Sequence, residues 1–156
     1  MGGRVDKKIQ TKPTISLVDF ELVHDITIFL RCGSDGDTGR RIALTALDDM
    51  PTINHLSPYM WRDYARGDRM WIGHEDNQNL DELLPDKWER TKRFPIRFER
   101  TEWRRIDGLA LALGRDKANT TAVLLRLAVR CPRVLATAAP GYAYRSQYSL
   151  RKGVFG

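Results

Sequence analysis

Residues 92–135 read KRFPIRFERTEWRRIDGLALALGRDKANTTAVLLRLAVRCPRVL, and the spacing of their apolar residues changes once. From Lys92 to Phe98 the alternation is strict. Phe94, Ile96 and Phe98 are apolar, and Arg93, Pro95 and Arg97 take the positions between them. A period of two predicts a strand with one apolar and one basic face. Beyond Arg100 the spacing becomes helical, with Trp103, Ile106, Leu109, Ala110 and Leu113 on one stripe. Thr101 is the expected cap, Glu102 suits the first turn, and Gly114 is the expected stop. Thr120 or Thr121 is expected to cap a second helix bearing Val123, Leu124, Leu127, Ala128 and Val129, ended by Pro132. A lone strand forms no sheet, so this segment predicts pairing with a second copy of the chain about a two-fold axis.

Charge separates the same region from the rest. The 156 residues hold 26 Lys and Arg against 20 Asp and Glu, a net of +6. Residues 91–156 hold 14 of the cations and 4 of the acids, so the excess lies there and residues 1–90 are acidic. That asymmetry predicts a polyanion-binding half joined to an ordinary acidic half.

The strand, the first helix ending Leu113-Gly114, and the run Leu124-Leu125-Arg126-Leu127-Ala128-Val129-Arg130 stand in the order and register of a known pattern. Residues 92–135 resemble a ribbon–helix–helix DNA-binding domain of the Arc/MetJ type. The turn Arg115–Asn119 is longer than that family's, and Pro95 stands where it more often has a polar residue. The resemblance implies an α+β fold: a dimeric C-terminal ribbon–helix–helix unit beside a small N-terminal α+β lobe. It implies a homodimer through residues 93–98 and the second helix. It also implies a double-stranded DNA partner whose major groove is read by the paired strands. The residues so assigned to DNA are Lys92, Arg93, Pro95 and Arg97 on the strand, Arg115 and Lys117 in the turn, and Asn119, Thr120 and Thr121 at the second helix. The implied function is that of a transcriptional repressor, or a plasmid or phage accessory regulator, rather than an enzyme.

The remaining chain divides as an arm at 1–13, a lobe at 14–90 and a basic, aromatic tail at 136–156, flanking the unit at 91–135. Thr14–Leu30 is rich in β-branched residues, which suggests one or two strands, though a helical phase also fits. Cys32–Gly39 holds three glycines and reads as a turn. Arg40–Met50 reads as a short helix before Pro51, and Tyr59, Trp61, Tyr64 and Trp71 as core anchors. No internal repeat is evident. The lobe is expected to serve dimer contacts, effector sensing or the binding of a protein partner, and its residues do not choose among these.

His24, His55 and His74 with neighbouring acids raise the alternative of a metal-dependent nuclease gripping nucleic acid with its basic half. No pair has the spacing of a helical metal site, so no metal and no cofactor is expected. An RNA-binding module fits less well, because the strand's aromatic residues face the core. Two distant cysteines, the lack of an apolar leader and the lack of a run of ~20 apolar residues predict a cytoplasmic chain without a membrane anchor.

Overall fold

A computed structural model describes residues 8–31 and 33–142. Strands β1 (Ile9–Thr11) and β2 (Thr14–Ile15) lead into helices α1 (Leu17–Leu30), α2 (Asp35–Asp48) and α3 (Met50–Leu56). A hairpin follows, β3 (Tyr64–Arg66) and β4 (Arg69–Trp71), and a short 3-10 turn at Leu80–Leu83. Then the opening order returns: β5 (Lys92–Arg93), β6 (Ile96–Phe98), α4 (Arg100–Leu113), α5 (Lys117–Ala128) and α6 (Pro132–Ala138).

The strand of residues 92–98 does not wait for a second chain. β6 pairs antiparallel with β1, Ile9 opposite Phe98 and Thr11 opposite Ile96. β5 pairs with β2, Thr14 opposite Arg93 and Ile15 opposite Lys92. The residue numbers of all five pairs add to one total, so both pieces keep one register. Pro13 and Pro95 lack the N–H a continuous ladder needs. Phe94 N bridges the gap by donating to Pro13 O at 2.8 Å.

The recurrence is close. A shift of 83 carries Ser16 onto Glu99, Leu17–Leu30 onto Arg100–Leu113, and left-handed Arg31 onto left-handed Gly114. The same shift carries Lys12 onto Pro95, the pair at the centre of the ribbon register. After a loop one residue shorter in the second half, a shift of 82 carries the Ser34 cap onto Asp116 and Met50–Leu56 onto Pro132–Ala138. The described residues thus form two strand–helix–helix–helix units, joined by residues 61–91 and paired through the ribbon with local two-fold symmetry.

Local chemistry sets each element. Ser16 Oγ accepts from Asp19 N at 3.1 Å and starts α1. The β-branched Val23, Ile26 and Thr27 then lie buried on one helix stripe, so only Thr14–Ile15 of the segment 14–30 is strand. Ser34 Oγ accepts from Asp37 N at 3.1 Å, and helix begins inside the glycine-rich run expected to be a turn. Gly39 is required there: a Cβ would fall 2.5 Å from the Phe94 ring. Glu99, not Thr101, is the cap of α4, in a reciprocal box with Glu102. Asp116, not a threonine, caps α5.

Helices α2 and α5 pack on each other more extensively than any other pair, with β6 over α2 and β2 over α5. One core runs from Ile15, Val23, Ile42 and Leu80 through Phe94, Phe98, Ile106 and Leu124 to Tyr142. The hairpin adds Tyr64, buried and 5.5 Å from the Trp71 ring.

These observations overturn the dimeric ribbon–helix–helix assignment. Residues 100–138 contain helices and turns but no strand. The strand before them is closed by Ile9–Ile15 of its own chain, and α5 meets α2 of its own chain. No intersubunit sheet supports a homodimer through residues 93–98 and the second helix. The proposed reading of double-stranded DNA by a strand pair from two subunits falls with it, as do the repressor and plasmid or phage regulator roles. Residues 14–90 share their core with residues 94–142, so the separate N-terminal α+β lobe with its own protein partner is also set aside. No helix of the described residues is long and apolar enough to cross a membrane. Residues 143–156 of the predicted basic tail lie outside the described residues.

Candidate functional site

The residues singled out on sequence lie in two places. Arg93, Pro95 and Arg97 are exposed on the outer face of the ribbon, while Phe94, Ile96 and Phe98 are buried; Lys92, opposite Ile15, is exposed at the ribbon's end on the inner side. Lys92 Nζ lies 4.4 Å from the Phe20 ring centroid. The others are engaged within the fold. Arg115 Nε meets Asp81 at 3.2 Å, and Lys117 Nζ meets Asp107 at 3.3 Å. Asn119 N donates to Asp116 Oδ1 at 2.7 Å, so a carboxylate already closes that helix end. Thr120 and Thr121 are fully buried and donate to the carbonyls of Asp116 and Lys117.

The nuclease alternative is overturned as well. Among the described residues no group of three or more His, Cys, Asp or Glu is arranged to hold a metal ion. His24 Nδ1 is taken up by Asp35 at 3.0 Å, and His74 Nδ1 accepts from Asp76 N at 3.1 Å.

The arrangement most suited to a ligand lies at the other end of α5. Arg126 and Arg130 follow one another by a helical turn and both approach Asp19, three residues past the α1 cap. Arg126 Nη1 is 3.1 Å from Asp19 Oδ2, and Arg130 Nη1 is 2.7 Å from Asp19 Oδ1. Asp19 is 2 % exposed, whereas the arginine side chains are 28 % and 41 % exposed. A buried carboxylate is costly without cationic partners. Here two guanidiniums share one carboxylate, and a positive charge remains at the surface.

That pair separates two clefts. One, of about 530 Å³, lies between the starts of α3 and α6 and has Pro51, His55, Leu83, Leu127 and Cys131 in its wall. The other, of about 420 Å³, lies beside the start of α1 and has Leu17, Val18, Trp88 and Thr91 in its wall. Arg126 and Arg130 line both, so the two clefts flank one cationic wall and are taken together as the arms of one groove. Exposed Glu82 and Glu89 each border one arm.

The far end of the first arm is braced. Arg133 forks onto Asp49, the α3 cap, with contacts of 2.9 and 2.8 Å. The Arg133 bond, outweighing partial burial and aided by Thr52, brings the Asp49 carboxyl down to about 2. Arg133 thus has one carboxylate to itself, whereas Arg126 and Arg130 share one.

The corresponding place in the second half is built differently. Glu102 is forked by one arginine, Arg40, at 2.8 and 2.6 Å. Burial raises the Glu102 carboxyl, but the Arg40 bond and the Glu99 backbone outweigh it, leaving it below its usual range. Leu17 and Val18 open α1 at 54 % and 58 % exposure. Their counterparts opening α4 are Arg100 and Thr101. Trp88, 74 % exposed, adds a large apolar surface on the Asp19 side.

Comparison of the chain with protein families, with curated protein sequences and with solved structures found no match. The groove was not picked out by the sequence reading. Its one signal was the pair Arg126 and Arg130, four residues apart and following the apolar residues Val123, Leu124 and Leu125.

Proposed function

We propose that the chain is a non-enzymatic binding protein that holds an anionic ligand with apolar substituents in the groove across Arg126 and Arg130. One observation carries this reading: two partly exposed guanidiniums share a single buried carboxylate between two clefts whose walls mix apolar and polar side chains. Guanidinium forks suit carboxylates because their N–H groups match both oxygens. Concave sites with apolar walls and a few convergent polar groups are the usual form of ligand sites. Cys131 and His55 both line the larger arm, and no hydrogen bond joins them among the described residues, which favours binding over nucleophilic catalysis. The free thiol of Cys131 supports a cytoplasmic setting.

A simple probe is octanoate. Partial burial of its chain and its charged hydrogen bonds together supply roughly 5 kcal/mol. That corresponds to a dissociation constant of ~0.2 mM. A titration of the ¹⁵N-labelled chain should move amides around Leu83, Leu127 and Arg130 with octanoate and far less with octanol. Arg130→Gln should weaken the octanoate response at least ~5-fold. Equal responses to the acid and the alcohol, or none below 10 mM octanoate (roughly 50 times that constant), would reject the reading.

A further inference from the structure

The groove has an arm on each side of its cationic centre. A fatty acid carries its charge at one end and fills one arm. A ligand matched to the whole groove carries its anion in the middle and apolar groups at both sides. Peptide chemistry supplies that layout directly, with an Asp or Glu flanked by large apolar side chains.

Building on the binding function above, we infer that the groove takes a peptide segment carrying one carboxylate between two large apolar side chains. The carboxylate sits on Arg126 and Arg130. One apolar side chain enters the arm walled by Leu83 and Leu127, and the other lies on Leu17, Val18 and Trp88.

Two observations select this occupant. The first is charge complementarity: the arginine pair holds one carboxylate and has capacity for a second. The second is the difference between the chain's own halves. The first two residues of α1 and of α4 are exposed, and the fold tolerates Arg100 and Thr101 there. Leu17 and Val18 therefore serve no packing need that the fold imposes at that position. Their exposed apolar surface adjoins the arginine pair on the side where the second apolar group would lie. Large apolar side chains left open beside a cationic centre are the usual composition of an interaction surface.

The test uses the full chain and four probes, read by calorimetry and by ¹⁵N amide shifts. The first is an acetylated, amidated peptide of sequence Leu-Ala-Glu-Ala-Phe. The second replaces its Glu by Gln, the third replaces its Leu by Ala, and the fourth is octanoate. The parent peptide should bind at least ~10-fold more tightly than octanoate. The Gln and Ala versions should each lose ~5-fold or more. The chain with Leu17→Gln and Val18→Thr, both exposed in the native fold, should lose ~5-fold for the parent peptide and keep its affinity for octanoate. Octanoate binding with no gain from the peptide overturns the inference and leaves the broader binding function standing. Peptide binding that ignores Leu17 and Val18 also overturns it. Failure of all four probes rejects both.

Discussion

Asp19 and Glu102 occupy the same place in the two halves of the chain, three residues past the caps of α1 and α4, and each is held by arginine from the other half. Arg126 of α5 and Arg130, two residues past its end, reach Asp19, and Arg40 of α2 reaches Glu102. The exchange ties the halves together at both flanks of the α2–α5 contact. It is also where they differ most in consequence, because two cations meet one acid on one flank and a single fork closes the other.

Removing Asp19 should be costly even though its partners reach water. A broken buried pair costs ~3–5 kcal/mol, and the partial exposure of both arginines reduces this to roughly 1–3. Asp19→Ala should lower the calorimetric Tm by about 2–12 °C. A fall below 1 °C would show that the buried carboxylate contributes little.

Acid stability should follow the carboxylates whose folded values are depressed. Asp49, at about 2 against an ordinary 3.8, contributes stability that is present above pH 3.8 and lost as pH falls toward 2. Glu102 is shifted in the same direction and adds the same sign. Tm measured from pH 5 to pH 2 should fall most steeply below pH 4, and Asp49→Asn should flatten that fall. An unchanged slope in the variant would remove Asp49 from the account.

Two helical glycines should respond oppositely to alanine. At Gly108 a Cβ meets nothing within 4 Å, so Gly108→Ala should gain helix propensity and raise Tm by about 2–4 °C. At Gly39 the Cβ would press on Phe94 at 2.5 Å, so Gly39→Ala should lower Tm by at least ~4 °C. Parallel shifts would contradict the close approach of α2 to the ribbon.

The ribbon closes within one chain, so equilibrium sedimentation at micromolar concentration should return the monomer mass of 17.9 kDa. A dimer mass that persists on dilution would show that the strands exchange between chains.

Much of the second half was legible. Phe94, Ile96 and Phe98 turn inward as their alternation implied, and Gly114 ends α4 in the left-handed conformation. The strand's partner was not legible, because inward positions of residues 9–15 include Thr11 and Pro13, which carry no apolar signature. The repeat was hidden for a related reason. Counterparts conserve shape and burial more than identity: Val23 matches Ile106, Ile26 matches Leu109, and Ile42 matches Leu124. The groove was illegible because Asp19 and Arg130 stand more than a hundred residues apart. Nothing local marks their meeting.

The connection at residues 61–91 bears on how such a molecule changes over time. Two halves on one polypeptide meet at an effective concentration on the order of millimolar, whatever the dilution outside. Separate identical subunits would copy every substitution to both sides of their axis. Here a substitution alters one side only, so the first half could keep Leu17 and Val18 while the second holds Arg100 and Thr101. The result is a near-symmetric scaffold whose proposed groove has no twin across the axis among the described residues, so one octanoate or one peptide per chain is the expected stoichiometry.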